Sequence, residues 1–300
     1  MPVYVQNPDP RSLVTRGADD LLAADTRVGA VELLVRDLEA MIEFYSTGMT
    51  LDVLDQVGDS AALGRDGRVL VRMRRMPDLP PRRPGEAGLF HTAILYDDEA
   101  ALSAAVVSLA RIAPRSFTGS ADHLYSQAFY FDDPEGNGVE LYADRPRETW
   151  ARERHGLLEV ATNPLDPNDF LRTHLPQAPT GPPPATLGHV HLQVGDLSTA
   201  RDFYVDALGF EVMSDVGSAL FIAAGGYHHH VALNTWGTAG AGPRAASLGL
   251  GRVNLELPTA DDVDALRERL TDHRIDVRHD GATLRVDDPW GTLIQVDAAA

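Results

Sequence analysis

Polar and apolar residues alternate from Leu187 to Val194: His189, His191 and Gln193 share one face, Val190, Leu192 and Val194 the other. A period of two marks a half-buried strand. The pattern then becomes helical. Asp196 stands as N-cap, Leu197, Ala200, Phe203, Tyr204 and Leu208 form an apolar stripe, and Gly209 closes the element. The same passage from strand to helix opens at Val28, where alternation to Val35 leads to Asp37, then to Leu38, Met41, Phe44 and Tyr45, and ends at Gly48. Two further starts follow the same plan. One is FHTAILY from Phe90, with a helix predicted over Glu99 to Ile112; the other is RVNLELP from Arg252, with a helix over Ala260 to Asp272.

Each start is followed by three strand-like runs. In the first unit they are Leu51–Gln56, Ala61–Leu63 and Val69–Met73; in the second the last two are AFYF and VELYA. In the third unit they are FEVMSD, ALFIAA and HHHVALNTW; in the fourth, DVRHD, TLRVDD and LIQVDA. Units one and three share D-L-x5-F-Y (Asp37, Phe44, Tyr45; Asp196, Phe203, Tyr204), and units two and four share D-D-P-x-G before the last strand. The chain is therefore an internal repeat of four βαβββ modules, an α+β class, ordered A-B-A′-B′. Modules of this size cannot bury a core singly, so they should pair into curved mixed sheets. The proline-rich stretch 146–186, ending APTGPPPAT, has linker composition. The expected organisation is an extension over 1–27, a first half over 28–145, the linker 146–186 and a second half over 187–297.

Composition narrows the function classes. The formal net charge of -18 argues against nucleic acid or an anionic membrane surface as partner, because both need basic footprints. There are no cysteines, which excludes disulfides and thiolate metal sites. No run approaches the roughly 20 apolar residues of a membrane span, and MPVYVQNPDPRSL lacks a signal pattern. A cytoplasmic protein is the expectation.

Three segments, GHVHLQVGDL, GGYHHHVALN and DPEGNGVELYADRP, occur in an order similar to that of the vicinal oxygen chelate superfamily. Within it the chain most resembles bacterial catechol 2,3-dioxygenases of the type I extradiol class, over about residues 28–145 and 187–297. The resemblance implies two tandem glyoxalase/extradiol dioxygenase-like halves. It places metal ligands near the start of a module's first strand and in its last strand. Those positions here are Ala30, His91, His189 and Arg252 for the first strands, Glu140, Gln295 and Ala232 for three last strands, and a point near Leu70 for the first module. Only His91, His189 and Glu140 are good ligands, a 2-His-1-carboxylate set suited to Fe(II), with Mn(II) as the alternative. Pairing the second module with the third would assemble them, within one chain or between two subunits. The first and fourth modules would then enclose Ala30, Arg252 and Gln295, an empty site.

By the same resemblance His230 is the acid–base histidine, sharing a strand face with Ala232, while His229 would point away. Tyr130 matches a substrate-binding tyrosine ten residues before the ligand, and His123 is a candidate for contacting oxygen or substrate. His191 should share the face of His189. The implied activity is extradiol cleavage of catechol or a substituted catechol by O2 to a 2-hydroxymuconic semialdehyde, in a homo-oligomer. The alternatives are a glyoxalase-type metal isomerase, disfavoured by Ala232 at the fourth ligand position, and a metal-free protein that binds an aromatic ligand. Metal content separates that last class from the enzymes.

Overall fold

The computed structural model describes residues 8–178 and 181–299. Residues 1–7 of the expected extension and 179–180 of the expected linker lie outside the described residues.

Each module is built as its pattern predicts. The first comprises β1 (Arg27–Val35), α1 (Leu38–Glu43), β2 (Asp52–Val57), β3 (Ser60–Arg65) and β4 (Arg68–Arg75). The second comprises β5 (Gly88–Tyr96), α2 (Glu99–Ile112), β6 (Phe117–Asp122), β7 (Ser126–Asp132) and β8 (Gly138–Asp144). Between the halves lie β9 (Asn163–Pro164) and α3 (Pro167–His174). The third module comprises β10 (Ala185–Gln193), α4 (Leu197–Arg201), β11 (Glu211–Asp215), β12 (Ala219–Ala223) and β13 (Val231–Asn234). The fourth comprises β14 (Gly249–Leu257), α5 (Ala260–Asp272), β15 (Arg278–His279), β16 (Leu284–Asp287) and β17 (Leu293–Ala298).

Helix starts follow side-chain capping. Asp37 accepts from Ala40 N, Asp98 from Ala101 N and Asp196 from Thr199 N, satisfying amides the helices leave free. α1 and α4 do not end at their last α-helical residue. Each widens into a turn with i→i+5 bonds, Met49 N to Phe44 O and Leu208 N to Phe203 O. The widened turns place Tyr45 and Tyr204 so that their hydroxyls donate to Asp133 (3.3 Å) and Asp288 (2.9 Å). The two repeated motifs therefore meet: the F-Y of one module bonds the D-D-P-x-G turn of the next. In both turns the aspartate Oδ1 also caps two backbone amides, Glu135 and Asn137 in one, Trp290 and Thr292 in the other.

The sheets cross between halves. One sheet has the order β15-β16-β17-β14-β1-β4-β3-β2, joining the first and fourth modules. The other runs β11-β12-β13-β10-β5-β8-β7-β6-β9, joining the second and third. The central pairs, β1 with β14 and β5 with β10, are antiparallel and lie within one chain. A bulge at Gly188 offsets β10 against β5, so that Leu187 faces Ile94 but His189 faces Ala93. A side chain at Gly188 would collide with the Tyr142 hydroxyl, since a Cβ there would lie 1.7 Å from it.

Two expectations are modified. The proline-rich stretch is not merely a connector: Leu158, Val160, Ala161 and Phe170 are buried, Leu158 N donates to Met213 O, and β9 pairs with β6. The last strand of the third module is shorter than HHHVALNTW. Gly225 and Gly226 both have left-handed φ (59° and 70°) and turn the chain, so the ladder begins only at Val231 and the three histidines precede it.

Candidate metal centre

β5 and β10 run side by side at the middle of their sheet, with β8 on the far side of β5, and this arrangement brings His91, His189 and Glu140 together. The imidazoles of His91 and His189 have ring centroids 5.6 Å apart. Glu140 Oε2 lies 3.0 Å from His91 Nε2 and 3.3 Å from His189 Nε2. One ligand atom from each residue falls within 4.8 Å of the others, and this is the only such group of three among the described residues. All three are buried, at 6%, 1% and 3% exposure.

The donor set fits a divalent metal. His91 Nε2 is sealed from solvent and, despite its short approach to Glu140, has no aligned hydrogen bond. Such a buried nitrogen is costly unless something else takes its lone pair. Burial pushes His189 down to about 4, against the pull of Glu140, so its imidazole is neutral and available as a ligand. Burial opposes ionisation of Glu140, but the two imidazoles outweigh it and hold the carboxyl well below its usual range. Ala232, buried and paired with His191 in the ladder, offers no fourth ligand.

A cavity of about 410 Å³ opens over the group. Phe90, Trp236, Phe221, Val160 and Val216 line it, so the connecting segment supplies part of the wall. Phe90 and Trp236 remain 38% and 42% exposed and pack edge to face at 5.5 Å. His191 lines the cavity directly opposite His91 in the ladder, and its Nε2 accepts from Asn234 Nδ2 (2.9 Å).

Tyr130 and His123 both reach the cavity and bond each other at 2.7 Å. His123 Nδ1 lies 2.7 Å from Ala161 O, a pure acceptor, so the proton sits on Nδ1 and Nε2 accepts from the Tyr130 hydroxyl. Burial, with the Glu140 charge beside it, holds the Tyr130 phenol well above its ordinary value.

His230 is not where alternation placed it. It does not line the cavity; it faces a separate depression with Tyr227, Arg147 and Leu95, and its Nδ1 accepts from Ala224 N. His229 takes the cavity position, its ring 4.0 Å from that of His189 and 5.1 Å from Phe221. The reason is the late start of β13: alternation fixes faces only inside a ladder, and residues 228–230 are outside it. Burial, then His189 and His228, push His229 well below its ordinary value, which leaves it neutral.

In the sheet of the first and fourth modules, the corresponding positions carry no ligand set among the described residues. Arg252 instead pairs with Glu32 (3.0 Å) and donates to Gln295 (2.8 Å).

Residues 27–141 and 186–296 match the family model described as the Glyoxalase/Bleomycin resistance protein/Dioxygenase superfamily. The chain belongs to that superfamily. A curated relative, the catechol-2,3-dioxygenase of Bacillus subtilis (strain 168), is 37% identical over 274 residues, covering 88% of this chain and 94% of the relative. On that likeness the chain is a catechol-2,3-dioxygenase-like enzyme. Among solved structures, one from Bacillus subtilis subsp. subtilis str. 168 superposes with a TM-score of 0.65 at 12% identity, covering 93% of this chain and 86% of the other. Glyoxalase I from Zea mays superposes at 0.57 and 15% identity, covering 91% and 92%. These two show the shared fold. No helix among the described residues is long and apolar enough to cross a membrane.

Proposed function

We propose that this chain is an extradiol ring-cleaving dioxygenase that converts catechol or a substituted catechol and O2 into a 2-hydroxymuconic semialdehyde, with Fe(II) held by His91, His189 and Glu140. The observation that carries the reading is the buried pair of imidazoles and a carboxylate at the base of a cavity walled by aromatic and aliphatic side chains. The name of the Bacillus subtilis relative supports it.

Held by His91, His189 and Glu140, Fe(II) would supply the redox chemistry that lets O2 react with an aromatic diol. The chain's own residues supply the rest. Phe90, Phe221 and Trp236 offer faces and edges against which an aromatic ring packs, and with Val160 and Val216 they exclude water. His229, neutral and beside His189, takes a proton from a substrate hydroxyl, the role the sequence assigned to His230. The Tyr130 hydroxyl, whose proton goes to His123, presents its oxygen to the cavity as an acceptor for a substrate hydroxyl.

The test is anaerobic loading with Fe(II) or Mn(II), followed by a screen of catechols and hydroquinones in air for the yellow ring-fission product. Turnover of a catechol with one equivalent of Fe(II) is expected. A protein that holds stoichiometric iron yet converts none of the diols would overturn the activity. One that binds aromatic diols tightly with no metal would be a binding protein.

A further inference from the structure

Asp144, His228 and His229 form a hydrogen-bonded chain behind the cavity, anchored by a carboxylate that can only accept. Asp144, at the end of β8, receives a hydrogen bond at Oδ2 from the Tyr227 hydroxyl (2.8 Å). Its Oδ1 lies 2.9 Å from His228 Nε2. His228 Nδ1 in turn lies 2.7 Å from His229 Nδ1. His229 Nε2 has no hydrogen-bond partner among the described residues, and the ring lines the cavity. Resting on the reading of His229 as the acid–base residue, we propose that Asp144, acting through His228, fixes the tautomer of His229 and keeps its Nε2 lone pair open towards the substrate.

A carboxylate accepts and does not donate, so the proton between Asp144 and His228 belongs to Nε2 of His228. In the proposed chain this is the one proton His228 carries, so its Nδ1 is bare and accepts. Two bare nitrogens do not approach to 2.7 Å as a bond, so His229 carries its proton on Nδ1 and donates it to His228. With its one proton on Nδ1, directed at His228, His229 leaves Nε2 unprotonated. A base needs that lone pair, and the opposite tautomer would present an N–H to the substrate hydroxyl instead.

The intermediate ring cannot escape this assignment by turning. His228 is buried, stacked on Tyr125 at 4.5 Å with planes 12° apart, and the rings of Tyr227 (4.1 Å) and Trp150 (5.4 Å) also pack against it. The far end of the chain is also fixed. Because Tyr227 gives its proton to Asp144, the Tyr142 hydroxyl donates to Tyr227 (2.7 Å), in the space that Gly188 leaves free. Asp144 and His228 touch neither the cavity nor the metal ligand set by hydrogen bond, so both are positioning residues.

The experiment reads ring nitrogens as well as turnover. In the full chain, metal-free and loaded with Zn(II), 15N shifts of the histidine rings report which nitrogen carries the proton. In the wild type, His229 should be protonated at Nδ1. Asp144→Asn presents an amide that donates to His228 Nε2, which reverses the chain and moves the His229 proton to Nε2. In the Fe(II)-loaded variant kcat should fall about 10²–10⁴-fold with KM little changed, the contribution expected of a positioned base. Asp144→Glu restores the acceptor and should recover most of the activity and the wild-type tautomer. A wild-type His229 protonated at Nε2 overturns the proposal, and that measurement decides even where a variant does not fold. So does an Asp144→Asn protein whose His229 tautomer is unchanged. If no diol is turned over, the proposed activity falls, while the tautomer assignment is still judged by the nitrogen shifts.

Discussion

His189 is almost sealed from solvent, and its loss removes one of two imidazoles from a shared point rather than a surface contact. His189→Ala should therefore lose metal retention while circular dichroism stays native; stoichiometric iron in that variant would contradict the ligand set. The second residue-scale expectation compares neighbours. His229→Ala should keep iron and lose about 10²–10⁴-fold in turnover. His230→Ala, whose side chain faces another depression and whose imidazole burial holds down to about 3, should change turnover by far less. Steady-state kinetics on the two variants separates them. The convergence of His91, His189 and Glu140 was legible in the sequence because two lie inside first strands and Glu140 inside a last strand, where a period of two fixes the face. His229 was not, since the alternation was carried back past the ladder's start, across two consecutive left-handed glycines. The pairing of Asp144 with His228 was not legible either: it spans 84 residues, and no local pattern marks it.

At the scale of elements, the tyrosine–aspartate bonds join consecutive modules. Tyr204→Phe leaves Asp288 buried and short of one donor, and should cost about 1–3 kcal/mol in chemical denaturation. Tyr45→Phe should cost less, since its bond to Asp133 is longer, at 3.3 Å. Asp133 also makes stability depend on pH. Burial raises its carboxyl to about 6, against the donors that favour its charge. The folded state thus holds a proton that the unfolded state has already released above its ordinary value of 3.8. As pH rises from about 4 to about 6, this one group should therefore lower stability by about 3 kcal/mol, after which its contribution is constant. Asp133→Asn should abolish that part of the slope, read by urea denaturation across the interval. The sequence showed both motifs as repeats and predicted the caps Asp37 and Asp196 and the α2 and α5 boundaries. It did not show that the motifs bond each other, because the widened i→i+5 turns that aim the tyrosines carry no distinct periodicity.

For the whole molecule, the exchange of modules means that neither half owns a complete sheet. The first half contributes β1 and β5, and their antiparallel partners β14 and β10 come from the second. Expressed separately, residues 8–145 and 181–299 should each be poorly structured and retain no metal. Co-expression should restore both the circular dichroism spectrum and the metal, because His91 and Glu140 come from one fragment and His189 from the other. A half that folds alone and binds a metal would contradict the crossed pairing. Four modules and their kind were visible in the repeat, and the gathering of ligands favoured the second module with the third. Whether one chain or two supplied them depended on distances no sequence pattern contains.

The same crossing sets the order in which the molecule can be made. When the first half leaves the ribosome, the free edges of β1 and β5 are exposed, and neither can be covered until the chain's later modules arrive. The contact order is high, since the central ladders join strands from opposite halves, and folding of such topologies is slow. During that wait an edge meets either its own distant partner or the identical partner of a neighbouring chain. Dilution favours the first encounter and crowding the second. Refolding yield should fall with protein concentration, and the lost material should include interlocked dimers whose metal sites are assembled across two chains.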